Sequence, residues 1–563
     1  MTGIENNSKS QFRLFFGLLV LLSAFMTLVY GPVYEHPGYD YYFHLTRFDA
    51  LITALREGNF PFYTDYVAAL GYGYLSKVFY SDIILLPFAI LGVFTGAYPA
   101  YEVMLFTMTI LCGLFMYGMV KTVFKNPYVA LLAAILYTFS VYRLFDIYHR
   151  GALGEVFAFT FLPLIFWGLY YIIKGDYRKW YIIAIGFSLM IFSHVISTVL
   201  IFITVLIFLA VYYKDFVKEP KRFFYLALVG VVALAITSSY IFPLLEQIQS
   251  NTFRYEDNDW SLPSRTKLTP LYFIWALLCG FVFPKDIMIV GIGILLVILV
   301  WLRFFIKGDN KLLRGVDTGV FIGVFYLIAS SSIFPWGRFP FTLLSFIQYP
   351  SRLFLFVTFF FAIAGAYYLS QLFTKNRQRM IVVVFIVLCT VVTLYMHSDN
   401  YKYMQETYIT ESNATPAPGN FFYLNGAEYV PERVESAYFI QERGDSIISL
   451  HNGVEVKGQR RDEKIFSADI TVQNADSLEL PLFYYKGYIA KLNGKEVLIE
   501  QSHHGLIQIP VDHSGELKVY YAGTTLQKVS WYITIVAVFA LCIYIFVQRR
   551  KKTFKDNNNA KVH

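Results

Sequence analysis

Charge is what this sequence has least of. Only 15% of its 563 residues are Asp, Glu, Lys or Arg, against roughly 25% in soluble domains. Cysteine is almost as scarce: Cys112, Cys279, Cys389 and Cys542 each sit inside an apolar run, and the large polar stretch near the C-terminus has none. No two of them stand at metal-ligand spacing, so they read as small buried apolar residues rather than a disulfide framework or a zinc site. Also missing are a Walker-type lysine loop, a Gly-rich dinucleotide loop and a Gly-x-Ser-x-Gly elbow. An enzyme made from this chain must therefore draw its energy from an activated substrate, not from nucleotide hydrolysis.

Hydrophobicity is what the sequence has instead. Apolar residues make up 56% of the chain and aromatics 19%, and the mean hydropathy is +0.50. Long apolar runs of this kind exclude a soluble protein. The net charge of +8 does not signal nucleic acid, because Lys and Arg fall in short breaks between apolar runs instead of forming one basic face.

Those breaks set an orientation. Lys9 and Arg13 stand at the start of an apolar run at 12–33 that lacks a small-residue cleavage site, which reads as an uncleaved signal anchor. Further breaks carry Lys121 and Lys125, Lys174 to Lys179, Lys214 to Arg222, Arg303 to Arg314, Lys375 to Arg379, and Arg549 to Lys552. Placing all of them in the cytoplasm gives about twelve helical spans with both termini inside. Segments 34–80, 142–154, 246–267, 332–351 and 397–528 then face outward. Segments 83–97 and 268–284 are short and broken by Pro or Gly, so they are expected to be interfacial or re-entrant.

The organisation expected is a transmembrane region over 1–396 with outer loops 34–80 and 142–154, an extracytoplasmic β-rich domain over 397–528, and a last span with a basic tail over 529–563. Within 397–528 the period changes. Runs at 465–472, 496–500, 506–511 and 516–521 read as strands, and Asn452-Gly453 and Asn493-Gly494 as hairpin turns. A β-sandwich-like module follows. A glycosylation sequon at 413–415 reads as a chance match. His503, His504 and His513 match no zinc spacing and read as loop histidines.

Two polar constellations stand out. In the first long loop Asp40, His44 and Arg47 fall at helical spacing beside an apolar face of Leu45, Phe48, Ile52 and Leu55. A helix lying on the membrane surface would hold that polar stripe at the lipid–water boundary. There a carboxylate can take a proton from a hydroxyl while a cation steadies a phosphate. The plainer reading is a solvated helix start, with Asp40 favoured by the helix dipole.

The second constellation comprises Arg143, Asp146, His149, Arg150 and Glu155. Arg143 reads as an interface anchor. Glu155 opens an apolar helix, where a carboxylate is harder to dismiss. His194 reads as a core group, and Arg352 as either a phosphate ligand or a snorkelling side chain.

These stretches resemble the bacterial YfhO-like membrane proteins, which share the GT-C glycosyltransferase architecture. Some related chains carry a 6-pyruvoyl-tetrahydropterin-synthase-related label that implies no such activity. The resemblance rests on DYYFHLTR at 40–47, LREGNFP at 55–61, RGALGE at 150–155 with LPL at 162–164, and SHVIS at 193–197. It continues through SSYIFPL at 238–244, QYPSR at 348–352, LFYYKGY at 482–488 and NGK at 493–495. At 348–352 related chains often show Phe and Trp around the Pro.

The resemblance implies a GT-C-type polytopic membrane protein of the bacterial cell membrane. It would transfer a sugar, with inversion, from a polyprenyl-phosphate carrier to an envelope polymer or glycan outside the membrane. Asp40 matches the acidic first-loop position and would be the general base. His44, Arg47, Arg150, Glu155, His194 and Arg352 would bind substrate, with the arginines at the departing phosphate. No cofactor is required by this reading, a divalent cation is left open, and no metal-ligand residue is expected. A donor-making glycosyltransferase and a flippase would supply the substrate, with the lipid bilayer the other partner and nucleic acid none. Two other classes use the same charges: a transporter or flippase of a lipid-linked glycan, and an envelope scaffold whose β module binds polymer or protein. A transporter favours mid-membrane charges, whereas these gather near the ends of apolar runs.

Overall fold

The computed structural model describes residues 2–32, 39–58, 63–66, 68–254, 262–278, 290–412, 428–462 and 464–561. Loop residues 34–38, Pro61, the sequon at 413–415, Cys279 and the end of the 268–284 segment lie outside the described residues.

Among the described residues, eight helices are long and apolar enough to cross a bilayer: Lys9–Tyr30, Ala97–Phe124, Pro127–Arg150, Leu153–Ile173, Lys311–Ala329, Pro350–Leu372, Asn376–Gln405 and Thr525–Lys551. The pair Lys221–Ile236 and Ser238–Ser250, bent by 72°, makes a ninth if it is one span. Reading apolar runs from the sequence gives a higher number because a run need not become one long helix. A hydrocarbon core of roughly 30 Å needs about 20 helical residues. The apolar stretch 181–211 is broken at His194 into Tyr181–Ser193 and Val195–Val211, and Ile294–Phe305 is short. Leu86–Thr95, within the expected interfacial segment, has only 10 residues.

Compactness divides the chain into two units of interleaved segments. One comprises Met1–His44, Tyr98–Gly230 and Asp259–Asn413; the other comprises Leu45–Ala97, Val231–Asn258 and Ala414–His563. The helix Asn376–Ser412 runs unbroken past 396, and the first strand begins only at Ile448.

The first unit is a helical bundle. Leu153–Ile173 packs closely on Tyr181–Ser193 because Gly168 offers no side chain: a Cβ there would sit 2.3 Å from the Ile183 nitrogen. Small residues allow such approach where helix association relies on packing. Polar groups inside the bundle are tied locally. Tyr137 donates to the Phe159 carbonyl at 2.9 Å, and Arg143 to the Thr138 carbonyl at 3.0 Å and Thr109 Oγ1 at 3.1 Å. Arg143 is wholly buried, so it is an internal tie and not the interface anchor expected of it.

Among the described residues the second unit holds nine strands: β1 Ile448–Ser449, β2 Val454–Asp462, β3 Ile465–Val472, β4 Asp476–Phe483, β5 Tyr488–Leu492, β6 Lys495–Val497, β7 Glu500–Gln501, β8 Leu506–Val511 and β9 Gly515–Tyr521. They form two antiparallel sheets, β1-β4-β8-β7 and β2-β3-β9-β5-β6. Alternate residues Phe466, Ala468 and Ile470 on β3, and Leu517 and Val519 on β9, are buried, the pattern of a sheet with one covered face.

Asn493 and Gly494, both at positive φ, close the two-residue hairpin between β5 and β6, as a type I′ turn requires. The other Asn-Gly turn differs from expectation: 452–453 connects β1 to β2, which belong to different sheets. Asp476 fixes that turn by accepting from the His451 and Gly453 backbone nitrogens. The expected strand 496–500 likewise divides, β6 going to one sheet and β7 to the other. Charged β2 and the almost wholly buried β4 carry no clean alternation, so periodicity alone does not reveal them.

Within this unit the helix Ser238–Ser250 is tied to the strands and to the last helix. Gln247 Nε2 donates to the Lys486 carbonyl at 2.6 Å, and Ser238 Oγ to the Ser530 carbonyl at 2.9 Å. Two stretches that carry the family resemblance, 238–244 and 482–488, are thereby held in one network.

Candidate functional site

The first unit gathers charges at the start of Leu153–Ile173. Residues Phe145–Arg150 form a π-helical turn that ends at Gly151, where φ is +72°. Such widened turns recur where a helix must re-aim side chains. Gly151 is needed twice over, for its backbone angle and for space. A Cβ there would lie 2.6 Å from the Tyr41 Cβ and 2.9 Å from its Cα. The first turn of Tyr39–Arg56 can therefore rest against the end of the π turn, which sets Asp40 beside Arg150.

The resulting network is continuous. Arg150 Nε lies 3.2 Å from Asp40 Oδ2, and its Nη1 donates to Glu155 Oε1 at 2.5 Å. Arg352 Nε donates to the same oxygen at 2.8 Å, and the Tyr142 hydroxyl donates to Glu155 Oε2 at 2.9 Å. Arg352 Nη1 is further held by the Ile347 carbonyl at 2.8 Å and Gln348 Oε1 at 2.9 Å. The Tyr349 ring lies 5.6 Å from the Arg150 guanidinium and 5.5 Å from that of Arg352, within cation–π reach of both.

Exposure is graded across the network. The side chains of Glu155 and Arg352 are 4% and 6% exposed, Arg150 is 22% and Asp40 41%. A buried, rigid pair thus supports an accessible one. Asp146, on the same π turn as Arg150, is fully buried, and its two carboxylate oxygens have no hydrogen-bond partner among the described residues.

The other expected site residues are placed differently. His194 caps Val195–Val211, its Nδ1 lying 2.8 Å from Ser197 Oγ and accepting from the Ser197 nitrogen. It stays near the network, because a Cβ on Gly154 would meet its Cδ2 at 3.0 Å. His44 is buried with its ring 5.2 Å from that of Phe43.

Arg47 belongs to the second unit. It lies 3.7 Å from Asp82, and its carbonyl accepts from Lys77 Nζ at 2.5 Å. Lys77 also pairs with Asp82 at 2.9 Å. Burial pulls the Lys77 ammonium below its ordinary value, opposed by the Asp82 charge. The expected stripe of Asp40, His44 and Arg47 is thus not a solvated face, since His44 and Arg47 are both buried. The exposed positions of that helix are Tyr42, Asp49 and Arg56 instead.

The β module carries two buried carboxylates. Glu479 accepts from Arg443 Nε at 2.9 Å and lies 2.9 Å from His504 Nδ1. Burial pushes its carboxyl up, but bonds from Ser502, His504 and Arg443 outweigh that and hold it below the usual range. Asp476 is likewise raised by burial and brought net well down by Ser449, His451 and Ser477. His513 pairs with the adjacent, exposed Asp512. Among the described residues no three His, Cys, Asp or Glu side chains converge as a metal ion needs.

Residues 45–417 match the family described as bacterial membrane protein YfhO. The chain belongs to that family. The match takes in Arg47, Arg150, Glu155, His194 and Arg352, and begins just after Asp40 and His44. The chain is also similar to an uncharacterized protein of Lactococcus lactis subsp. cremoris strain MG1363. The two are 21% identical over 616 residues, covering 98% of each chain. With the family and its apolar helices together, a multi-pass membrane location is established.

Proposed function

We propose that this YfhO-family protein is a GT-C-type membrane glycosyltransferase, transferring a sugar from a polyprenyl-phosphate carrier to an acceptor hydroxyl of an envelope polymer or glycan. Asp40 is the general base. It takes the acceptor proton as the acceptor oxygen bonds to the anomeric carbon from the face opposite the phosphate. The anomeric carbon–oxygen bond breaks with its electron pair leaving on the phosphate oxygen, so the configuration inverts. Arg150 and Arg352 receive the growing phosphate charge, Glu155 and Tyr142 hold them in place, and His194 and His44 shape the surroundings. Arg47 serves the fold of the first-loop helix rather than the phosphate.

The observation that carries this reading is the accessible Asp40 carboxylate 3.2 Å from Arg150, backed by a second guanidinium on the shared Glu155. A base and paired cations side by side are what displacement of a lipid phosphate by a hydroxyl requires. In this reading the chain threads the bilayer about twelve times, its short and broken apolar helices included. Both termini are cytoplasmic, and the β-rich module of 397–528 and the 34–80 and 142–154 loops face outward. The donor is made inside by another glycosyltransferase and turned over by a flippase.

Burial of Glu155 and Arg352 within helices of spanning length gives a transporter of lipid-linked glycan some footing. Reconstitution in vesicles with radiolabelled polyprenyl-phosphate hexoses separates the two. Label passing to a glycan acceptor supports the enzyme; label crossing between leaflets without transfer supports the transporter.

A further inference from the structure

The base of the proposed reaction is engaged before any substrate arrives. Asp40 Oδ2 faces Arg150 Nε at 3.2 Å, so the guanidinium occupies one of the two oxygens an acceptor hydroxyl could reach. The second guanidinium is not engaged in the same way. Arg352 has four fixed contacts: Glu155, the Ile347 carbonyl, Gln348 and the Tyr349 ring. Arg150 has Glu155 on one side, Asp40 on the other, and the Tyr349 face. Its link to Glu155 is to a buried, doubly supported carboxylate, whereas its link to Asp40 is to a group that is 41% exposed. Of these ties, the one to Asp40 is the weakest and the most open to competition.

We infer that Arg150 holds Asp40 masked in the free protein, and that an arriving lipid phosphate takes over the Arg150 guanidinium and releases Asp40 to act. This rests on the proposed glycosyltransferase reading and adds its regulation. A phosphate oxygen is a strong acceptor for a guanidinium and can engage two of its N–H groups at once. Glu155 keeps Arg150 in reach during the exchange. Binding then becomes ordered: the phosphate-bearing donor enters first, and only afterwards is the base free to accept an acceptor proton.

The test measures the reactivity of Asp40 directly. Full-length protein in detergent is treated with a water-soluble carbodiimide and an amine, and modification of Asp40 is quantified by peptide mass spectrometry. This is done alone, with undecaprenyl phosphate, and with undecaprenol, which lacks the phosphate. The expected result is low modification alone and with the alcohol, and a several-fold rise with the phosphate lipid. In Arg150→Gln, Asp40 is modified to the higher level with no lipid; Arg150→Lys gives an intermediate level if the glutamine variant does not fold. Unchanged or reduced modification when the phosphate lipid is bound, in protein that still transfers sugar, overturns the masking and leaves the enzyme standing. Native mass spectrometry showing no retention of undecaprenyl phosphate, together with no transfer, removes the enzyme reading and the masking with it.

Discussion

Arg150 stands between Asp40 and Glu155, 3.2 Å from the first through Nε and 2.5 Å from the second through Nη1. It joins an accessible carboxylate to a buried one. The two come from different helices and meet only because Gly151 lets the first turn of Tyr39–Arg56 lie against the π turn.

Replacing Gly151 therefore tests how the site is assembled. Gly151→Ala places a Cβ 2.6 Å from the Tyr41 Cβ on a backbone with φ of +72°. The left-handed backbone alone costs about 1–2 kcal/mol. The helix start must also shift, taking Asp40 from Arg150. Sugar transfer should fall by at least about 100-fold, since misplacement of about 1 Å carries that penalty. Gly58→Ala is the control: it has positive φ but nothing within 4 Å, so it should leave transfer near the native rate.

Glu155→Gln removes the charge that two guanidiniums share while keeping the side-chain shape. Glu155 and Arg352 are 4% and 6% exposed, and breaking a buried pair by removing one partner costs roughly 3–5 kcal/mol. A lowered melting temperature in detergent is expected. Tyr142→Phe, which deletes only the 2.9 Å bond to Oε2, should cost about 1.5–3 kcal/mol, the range for a bond to a charged group.

Acid should weaken the β module. Glu479 and Asp476 both have carboxyl pKa values below their ordinary range in the fold. A lowered folded-state pKa gives stability that is present above the unfolded carboxylate range, near pH 4, and is lost as pH falls through the folded value. Asp476→Asn should thus lower the melting temperature at pH 7, and its difference from native protein should shrink as pH drops below 4. A difference that is constant with pH would contradict this account of the turn.

Lys77 offers a separate check in the second unit. Lys77→Met removes an ammonium that ties the Arg47 carbonyl to Asp82 and leaves a buried carboxylate facing Arg47 alone. Stability should fall by about 1–3 kcal/mol, while sugar transfer by folded protein stays close to native, because none of these groups belongs to the Asp40 network.

The sequence made the members of the site visible, but not their connections. Asp40, Arg150, Glu155 and Arg352 are charges beside apolar runs, and burying a charge is costly enough that each invites a question. That one oxygen of Glu155 serves both its near neighbour Arg150 and Arg352, nearly two hundred residues further on, is a tertiary fact with no local trace. Tyr142 and Tyr349 give no partner signal in the sequence, because aromatics are common at membrane boundaries. Arg47 shows the opposite failure. Helical spacing puts it in line with Asp40, yet it meets Lys77 and Asp82, some thirty residues further along the chain and with no local trace of the contact. In the β module the Asn493-Gly494 hairpin was readable because two positive φ values select those residues. The 452–453 turn has the same chemistry but joins two sheets, and sheet membership is not written in a dipeptide.

The most direct test of the central claim is sugar transfer by native protein and Asp40→Asn, reconstituted with radiolabelled polyprenyl-phosphate hexoses and an envelope glycan acceptor. Native protein should transfer label to the acceptor. The variant should insert and fold normally but be slower by about 100- to 10,000-fold, the range for loss of a general base. Equal transfer by the two proteins would contradict the assignment of Asp40 as the base.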